Sequence, residues 1–190
     1  MVISTSHAQR PADLFVREKR LGPPRLRPTV YLDTTIPTYF AASMSADISR
    51  ARMQRITRIW WTRYRRHCDV FISDLLLAEA RDGSEYAARK RLAALDSIDA
   101  ACLSERSEAL FQSLLADGLI PDIAHADAEH ISYAATNSIR FLLTWNCKHL
   151  ANRMIFRRVT QRCESLGFYC PQVCTPETMI RVCVDERRTD

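Results

Sequence analysis

Four residues of this 190-residue chain carry oxygen donors where one fold could bring them together: Asp33, Glu79, Asp127 and Asn146. Three carboxylates and a carboxamide, with no cysteine or closely spaced histidine pair among them, make a hard donor set suited to Mg²⁺ or Mn²⁺. Without a cation, three such charges in one cleft would repel one another and raise their own pKa values. Not every position points the same way. An Asp at a helix start is commonly a cap, which applies to Asp127 and to Asp74 taken singly. Glu79 follows Leu75-Leu76-Leu77-Ala78 and so lies beside an apolar face, where an unpaired carboxylate is costly.

The elements that must position these groups are short apolar runs alternating with helical stretches. Thr29-Val30-Tyr31-Leu32 predicts a buried strand stopped by Asp33, Val70-Phe71-Ile72 a second, Ile98 to Leu103 an edge strand, and Phe141 to Trp145 a strand ending at Asn146. Phe168 to Val173 supplies a fifth candidate. Helices are predicted at 36–40, 47–66 (with Ile48, Ile56, Ile59, Trp60 and Tyr64 inward), 74–79, 85–96, 104–116, 126–137, 148–165 and after Pro176. Such alternation implies an α/β fold, three layers with a mostly parallel central sheet of four to five strands. In an open parallel sheet ligands collect beyond the carboxyl ends of the strands, which is where all four donors would fall.

Hydrophobic residues make up 47% of the chain and charged residues 26%, with four glycines and no fixed-period repeat, which excludes solenoids, collagen and wholesale disorder. No apolar run is long enough to span a bilayer, and Met1 to Arg10 lacks a signal-peptide core, so a cytoplasmic protein is expected. Positions 1–28 read as a basic extension, 29–184 as one domain and 185–190 as a polar tail. The net charge of +5 is concentrated in that extension, which carries six basic and two acidic residues. Within the domain, positions 48–68 hold seven Arg and no acid, while 69–130 hold thirteen acids against five basic residues. Seven cysteines, mostly inside apolar segments, read as reduced thiols. Cys170 and Cys174 lack a second pair, and His125, His130 and His149 with Cys147 match no compact zinc spacing.

In order and spacing, Tyr31-Leu32-Asp33-Thr34-Thr35, Ile72 to Glu79, Ala126-Asp127-Ala128 to Ala135 and Leu142-Leu143-Thr144-Trp145-Asn146 resemble the PIN domain, the nuclease fold of VapC-type toxins. The likeness spans about Thr29 to Met179. It implies a PIN-like fold and a Mg²⁺- or Mn²⁺-dependent endoribonuclease acting on single-stranded or structured RNA, the toxin of a toxin-antitoxin pair, with an antitoxin protein and a second copy of the chain as partners. Asp33, Glu79 and Asp127 then match metal-binding, catalytic acids, and Asn146 stands where many members have Asp. Thr144 matches a position that favours a hydroxyl, supporting a water or a ligand carboxylate. Arg52, Arg55 and Arg58 would contact the RNA backbone, and Trp60, Trp61 and Tyr64 would stack on bases or meet a partner. Asn146 also motivates a second expectation, a catalytically weak PIN-like module that binds RNA or a protein. Dehalogenase-type phosphatases fit poorly because Asp33-Thr34-Thr35 lacks their Asp-x-Asp, and receiver domains lack their further acids and Lys.

Overall fold

The computed structural model describes residues 27–101, 104–116, 125–146 and 153–188. Five strands, β1 (Thr29–Leu32), β2 (Asp69–Ile72), β3 (Asp99–Ala100), β4 (Phe141–Leu143) and β5 (Gln172–Cys174), form one sheet in the order β3-β2-β1-β4-β5. Every pairing is parallel, and Tyr31 on the central strand lies opposite Phe71 on one side and Leu142 on the other. A central strand covered on both faces has no solvated side, which is why its sequence is a continuous apolar run.

The helices are α1 (Thr35–Ala41), α2 (Ile48–Ile59), α3 (Asp74–Glu79), α4 (Glu85–Leu95), α5 (Glu105–Ala116), α6 (His125–Thr136), α7 (Arg153–Ser165) and α8 (Pro176–Arg188). Successive β1 side chains point to opposite faces, and the core divides accordingly. Tyr31 and Leu142 pack with Leu110, Leu114, Ile131, Val159 and Cys163 from α5, α6 and α7. Val30, Leu32, Phe141 and Leu143 pack with Ile36, Leu76, Leu95, Met179 and Cys183 from α1, α3, α4 and α8. The three-layer α/β arrangement read from the sequence is therefore present, with all five strands parallel.

Local chemistry sets the helix ends. The side chains of Asp47, Ser73, Ser84 and Ser104 accept from the backbone N–H of Arg50, Leu76, Ala87 and Ser107, satisfying first-turn donors. Asp74 is thus an exposed first-turn residue and Ser73 is the cap. Gly167, at φ 77°, closes α7, and the Phe168 N–H reaches back to the Cys163 carbonyl at 2.9 Å.

The predicted inward face of the second helix is right for Trp60 and Tyr64, which join the core, and wrong for Ile48 and Ile59. Ile48 is 86% exposed and Ile59 42% exposed, while Ala51, Gln54 and Thr57 are buried. The buried stripe is polar because its groups are satisfied: Gln54 accepts from Ser45 N–H and donates to the Ser43 carbonyl, and Thr57 accepts from the Trp145 indole. After Ile59 the helix widens into a π-turn, Trp60–Tyr64. That shift in register lets both tryptophans face inward, Trp61 stacking on Phe40 at 4.5 Å and meeting Trp60 edge-on at 6.0 Å. Neither indole is available to stack on a base or a partner.

Where the described residues begin, Arg27 pairs with Asp69 at 3.0 Å and the Pro28 carbonyl accepts from Asp69 N–H. At the other end α8 continues through Arg188, and Glu186 pairs with Arg140. Positions 1–26, Cys102, Gly118, Pro121, Asp122, Cys147 and His149 lie outside the described residues. The five cysteines described are free thiols, with the sulfurs of Cys68 and Cys183 3.5 Å apart.

Candidate functional site

The four donors gather at the carboxyl end of the sheet. Asp33 directly follows β1, and its N–H still bonds the Leu143 carbonyl at 3.1 Å, extending the ladder one residue. Its Oδ1 accepts from both the N–H and the hydroxyl of Thr35 at the start of α1. The same Thr35 hydroxyl accepts from the Trp145 N–H at 2.9 Å, tying the loop after β1 to the loop after β4.

In that second loop the Thr144 hydroxyl accepts from the Asn146 N–H at 2.8 Å. Thr144 is buried, and its hydroxyl sets the turn that presents Asn146. The Asn146 carboxamide donates to Asp127 Oδ1 at 2.9 Å. Asp127 is 5% exposed in the first turn of α6, whose positive dipole end favours a carboxylate.

Glu79 completes the arrangement from the end of α3. Its carboxylate is half-buried and accepts on Oε2 from the Thr34 hydroxyl and from His130 Nε2, the latter at 3.2 Å. His130 lies one turn beyond Asp127 and is 3% exposed. Burial works against its charge, but the Glu79 hydrogen bond and the nearby charges of Asp33, Glu79 and Asp127 outweigh that and hold the imidazole above its ordinary range. Burial likewise works against the Glu79 carboxylate, yet its bond to His130, the imidazolium charge and the Thr34 hydroxyl keep it below the usual range.

All three predicted acids therefore act on one buried imidazole, and Asn146 joins through Asp127. Side-chain contacts and the chain segments between them close into a ring: Asp33 to Thr35, then Trp145 and its neighbour Asn146 to Asp127 on one side, and Thr34 to Glu79 and His130 on the other, with Asp127 and His130 both carried by α6. The chain matches no family model, no curated protein and no solved structure.

In type, the donors suit a hard divalent cation. In placement, among the described residues, no three His, Cys, Asp or Glu side chains stand where they could share one ion. Each carboxylate is held by its own hydrogen bonds, so a shared ion would have to draw them inward. A cleft of about 540 Å³ lies elsewhere, lined by Arg65, Arg66, Asp69 and Asp99 at the amino ends of β2 and β3.

The predicted RNA-contact arginines have different fates. The Arg58 guanidinium donates to the carbonyls of Phe40 and Ala42 and so caps the end of α1. Arg52 reaches Glu177 at 3.6 Å, and Arg55 is exposed on the same helix. The residue that sequence reasoning passed over is His130, set aside there as an incidental histidine. Its spacing of three from Asp127 was the available signal, since residues three apart on a helix share a face.

Proposed function

We propose that the chain is a divalent-metal-dependent endoribonuclease of PIN-like type. The observation that carries the reading is the ring joining Asp33, Glu79, Asp127 and Asn146 at the carboxyl end of a parallel sheet, where such folds place their ligands. The four sequence stretches that resemble the PIN domain supply the acids of this ring in the family's order. Asp33, Glu79, Asp127 and Asn146 would hold Mg²⁺ or Mn²⁺, which when bound supplies polarisation of a phosphate and a more acidic water. The chain's own part is positional. Thr35 fixes Asp33, Thr34 fixes Glu79, and Thr144 fixes the turn bearing Asn146. Exposed Arg55 on the neighbouring basic helix offers a charge for the RNA backbone.

A second reading has a specific observation behind it. The Asn146 amide already donates to Asp127 Oδ1, and an arrangement held by its own hydrogen bonds can stand without an ion. On that basis the alternative is a module that binds RNA or a protein without cutting. The two separate in one assay: single-stranded RNA with the full chain and millimolar Mn²⁺, beside Asp33→Asn and Glu79→Gln. The nuclease reading expects Mn²⁺-dependent cleavage that falls by about 100-fold or more in both variants. RNA retention without cleavage by the unmodified chain, or cleavage that survives both substitutions, rejects it. An antitoxin, a homodimer and a toxin role remain parts of the same proposal, resting on the resemblance alone.

A further inference from the structure

We infer that His130 is a positioning residue, held by Tyr31 and Ser73, that fixes the Glu79 carboxylate at the cation site. The inference rests on the nuclease reading and adds to it a residue that the four-donor pattern does not contain.

The geometry is a directed chain of buried hydrogen bonds. Ser73 Oγ accepts from the Leu76 N–H at 3.2 Å and lies 2.6 Å from the Tyr31 hydroxyl. That hydroxyl is 2.9 Å from His130 Nδ1, and His130 Nε2 is 3.2 Å from Glu79 Oε2. Tyr31, Ser73 and His130 are each 3% exposed or less. A polar chain this deep is costly unless every member is paired, and here each is.

The tyrosine makes the arrangement robust. A phenol both donates and accepts. When the imidazole is neutral, Tyr31 donates to Nδ1 and the proton sits on Nε2. When it is charged, Nδ1–H donates to Tyr31 and Tyr31 donates to Ser73. In both forms Nε2 keeps its hydrogen toward Glu79, so the positioning does not depend on the charge state. Burial also pushes the Tyr31 phenol far up, so it retains its proton, with the Ser73 bond only partly opposing that.

The chain also closes mechanically. Ser73 caps the start of α3 and Glu79 ends it, so Tyr31 on β1 and His130 on α6 brace both ends of one short helix. Tyr31 is two residues before Asp33 and His130 three after Asp127, which makes the brace common to all three acids. Partners that orient metal ligands typically change affinity or activity by about 10- to 100-fold when lost.

The test uses His130→Leu, which removes the donor, His130→Gln, whose amide N–H can reach where Nε2 does, and Tyr31→Phe. Mn²⁺ affinity is measured by calorimetry, RNA cleavage by kcat and KM, and folding by thermal melts. We expect His130→Leu to weaken Mn²⁺ binding and lower kcat by about 10-fold or more with KM little changed, and His130→Gln to recover most of both. Tyr31→Phe should fall between them.

Equal Mn²⁺ binding and cleavage by folded His130→Leu and the unmodified chain overturns the inference while the nuclease reading stands. So does equal impairment of the Gln and Leu variants. If the unmodified chain neither binds Mn²⁺ nor cuts, the nuclease reading falls, and the brace is judged by ¹⁵N NMR of the imidazole. A protonated Nε2 resonance that moves in Glu79→Gln then supports it, and one that does not move overturns it.

Discussion

Asn146→Asp probes the site at its most informative contact. The Asn146 amide donates to Asp127 Oδ1 at 2.9 Å, and Asp127 is 5% exposed. Replacing the amide with a carboxylate removes a hydrogen bond to a charged group, about 1.5–3 kcal/mol. It also sets two like charges near contact, about 4 kcal/mol at roughly 4 Å and an effective dielectric constant of about 20. Position 146 is only partly buried, so the new side chain can turn toward water, and we expect a net loss of about 2–4 kcal/mol near pH 7 without metal. Repulsion raises the carboxyl pKa of the pair above the unfolded value of about 3.9, so the penalty is relieved as pH falls through that raised value. A shared proton then restores a donor to Asp127. Mn²⁺ should relieve it too, by about 2.7 kcal/mol at a concentration 100-fold above Kd, and by more than in the unmodified chain. Urea unfolding near pH 7 and again below that raised value, with and without Mn²⁺, reads all of this. A variant as stable as the parent near neutral pH, with no larger Mn²⁺ response, would refute the convergence of positions 127 and 146.

Three further outcomes are expected. Arg58→Ala should cost about 1.5–3 kcal/mol in urea unfolding, because its charged hydrogen bonds hold the Phe40 and Ala42 carbonyls, and should leave the salt dependence of RNA binding unchanged. Arg55→Ala should leave stability within about 0.5 kcal/mol and reduce the slope of log K against log salt by about 0.7 on single-stranded RNA; a stability-neutral Arg58→Ala contradicts the first assignment. His130 is held above its ordinary range, so its contribution is full below about pH 6.5 and is lost as pH rises through the folded value. Glu79 is held below its range, so its contribution is present above about pH 4.5 and is lost as pH falls through its lower folded value. Melting temperatures from about pH 5 to 9 should therefore decline on the alkaline side more steeply for the unmodified chain than for His130→Gln, and parallel profiles would contradict the pairing.

The central strands β1 and β4 were legible because they are buried on both faces and so appear as unbroken apolar runs ending in polar residues, as Tyr31-Leu32-Asp33 and Leu143-Thr144 do. The parallel-sheet rule then located the acids without knowledge of any contact. The inward face of α2 was not legible, since Gln54 and Thr57 are buried by virtue of partners at Ser43, Ser45 and Trp145 that no hydropathy pattern encodes. Nor was the π-turn, where a change of helical pitch turns adjacent tryptophans to the same side. His130 escaped for a related reason: its meaning comes from Tyr31, 99 positions earlier, and from Glu79, and a lone histidine on an apolar helix carries no trace of either.

The placement of β1 between β2 and β4 has a consequence in time. Thr35 closes the ring only by bonding Trp145, 110 residues later in the chain. At about 5–20 residues per second of synthesis, roughly 5–20 s separate the emergence of the first acid from that of its last companion. A nascent chain thus exposes Asp33 early but has no α6 or β4 against which to assemble the ring. Whatever chemistry this centre performs, a growing polypeptide is inert until Asn146, about three-quarters of the way along the chain, has left the ribosome.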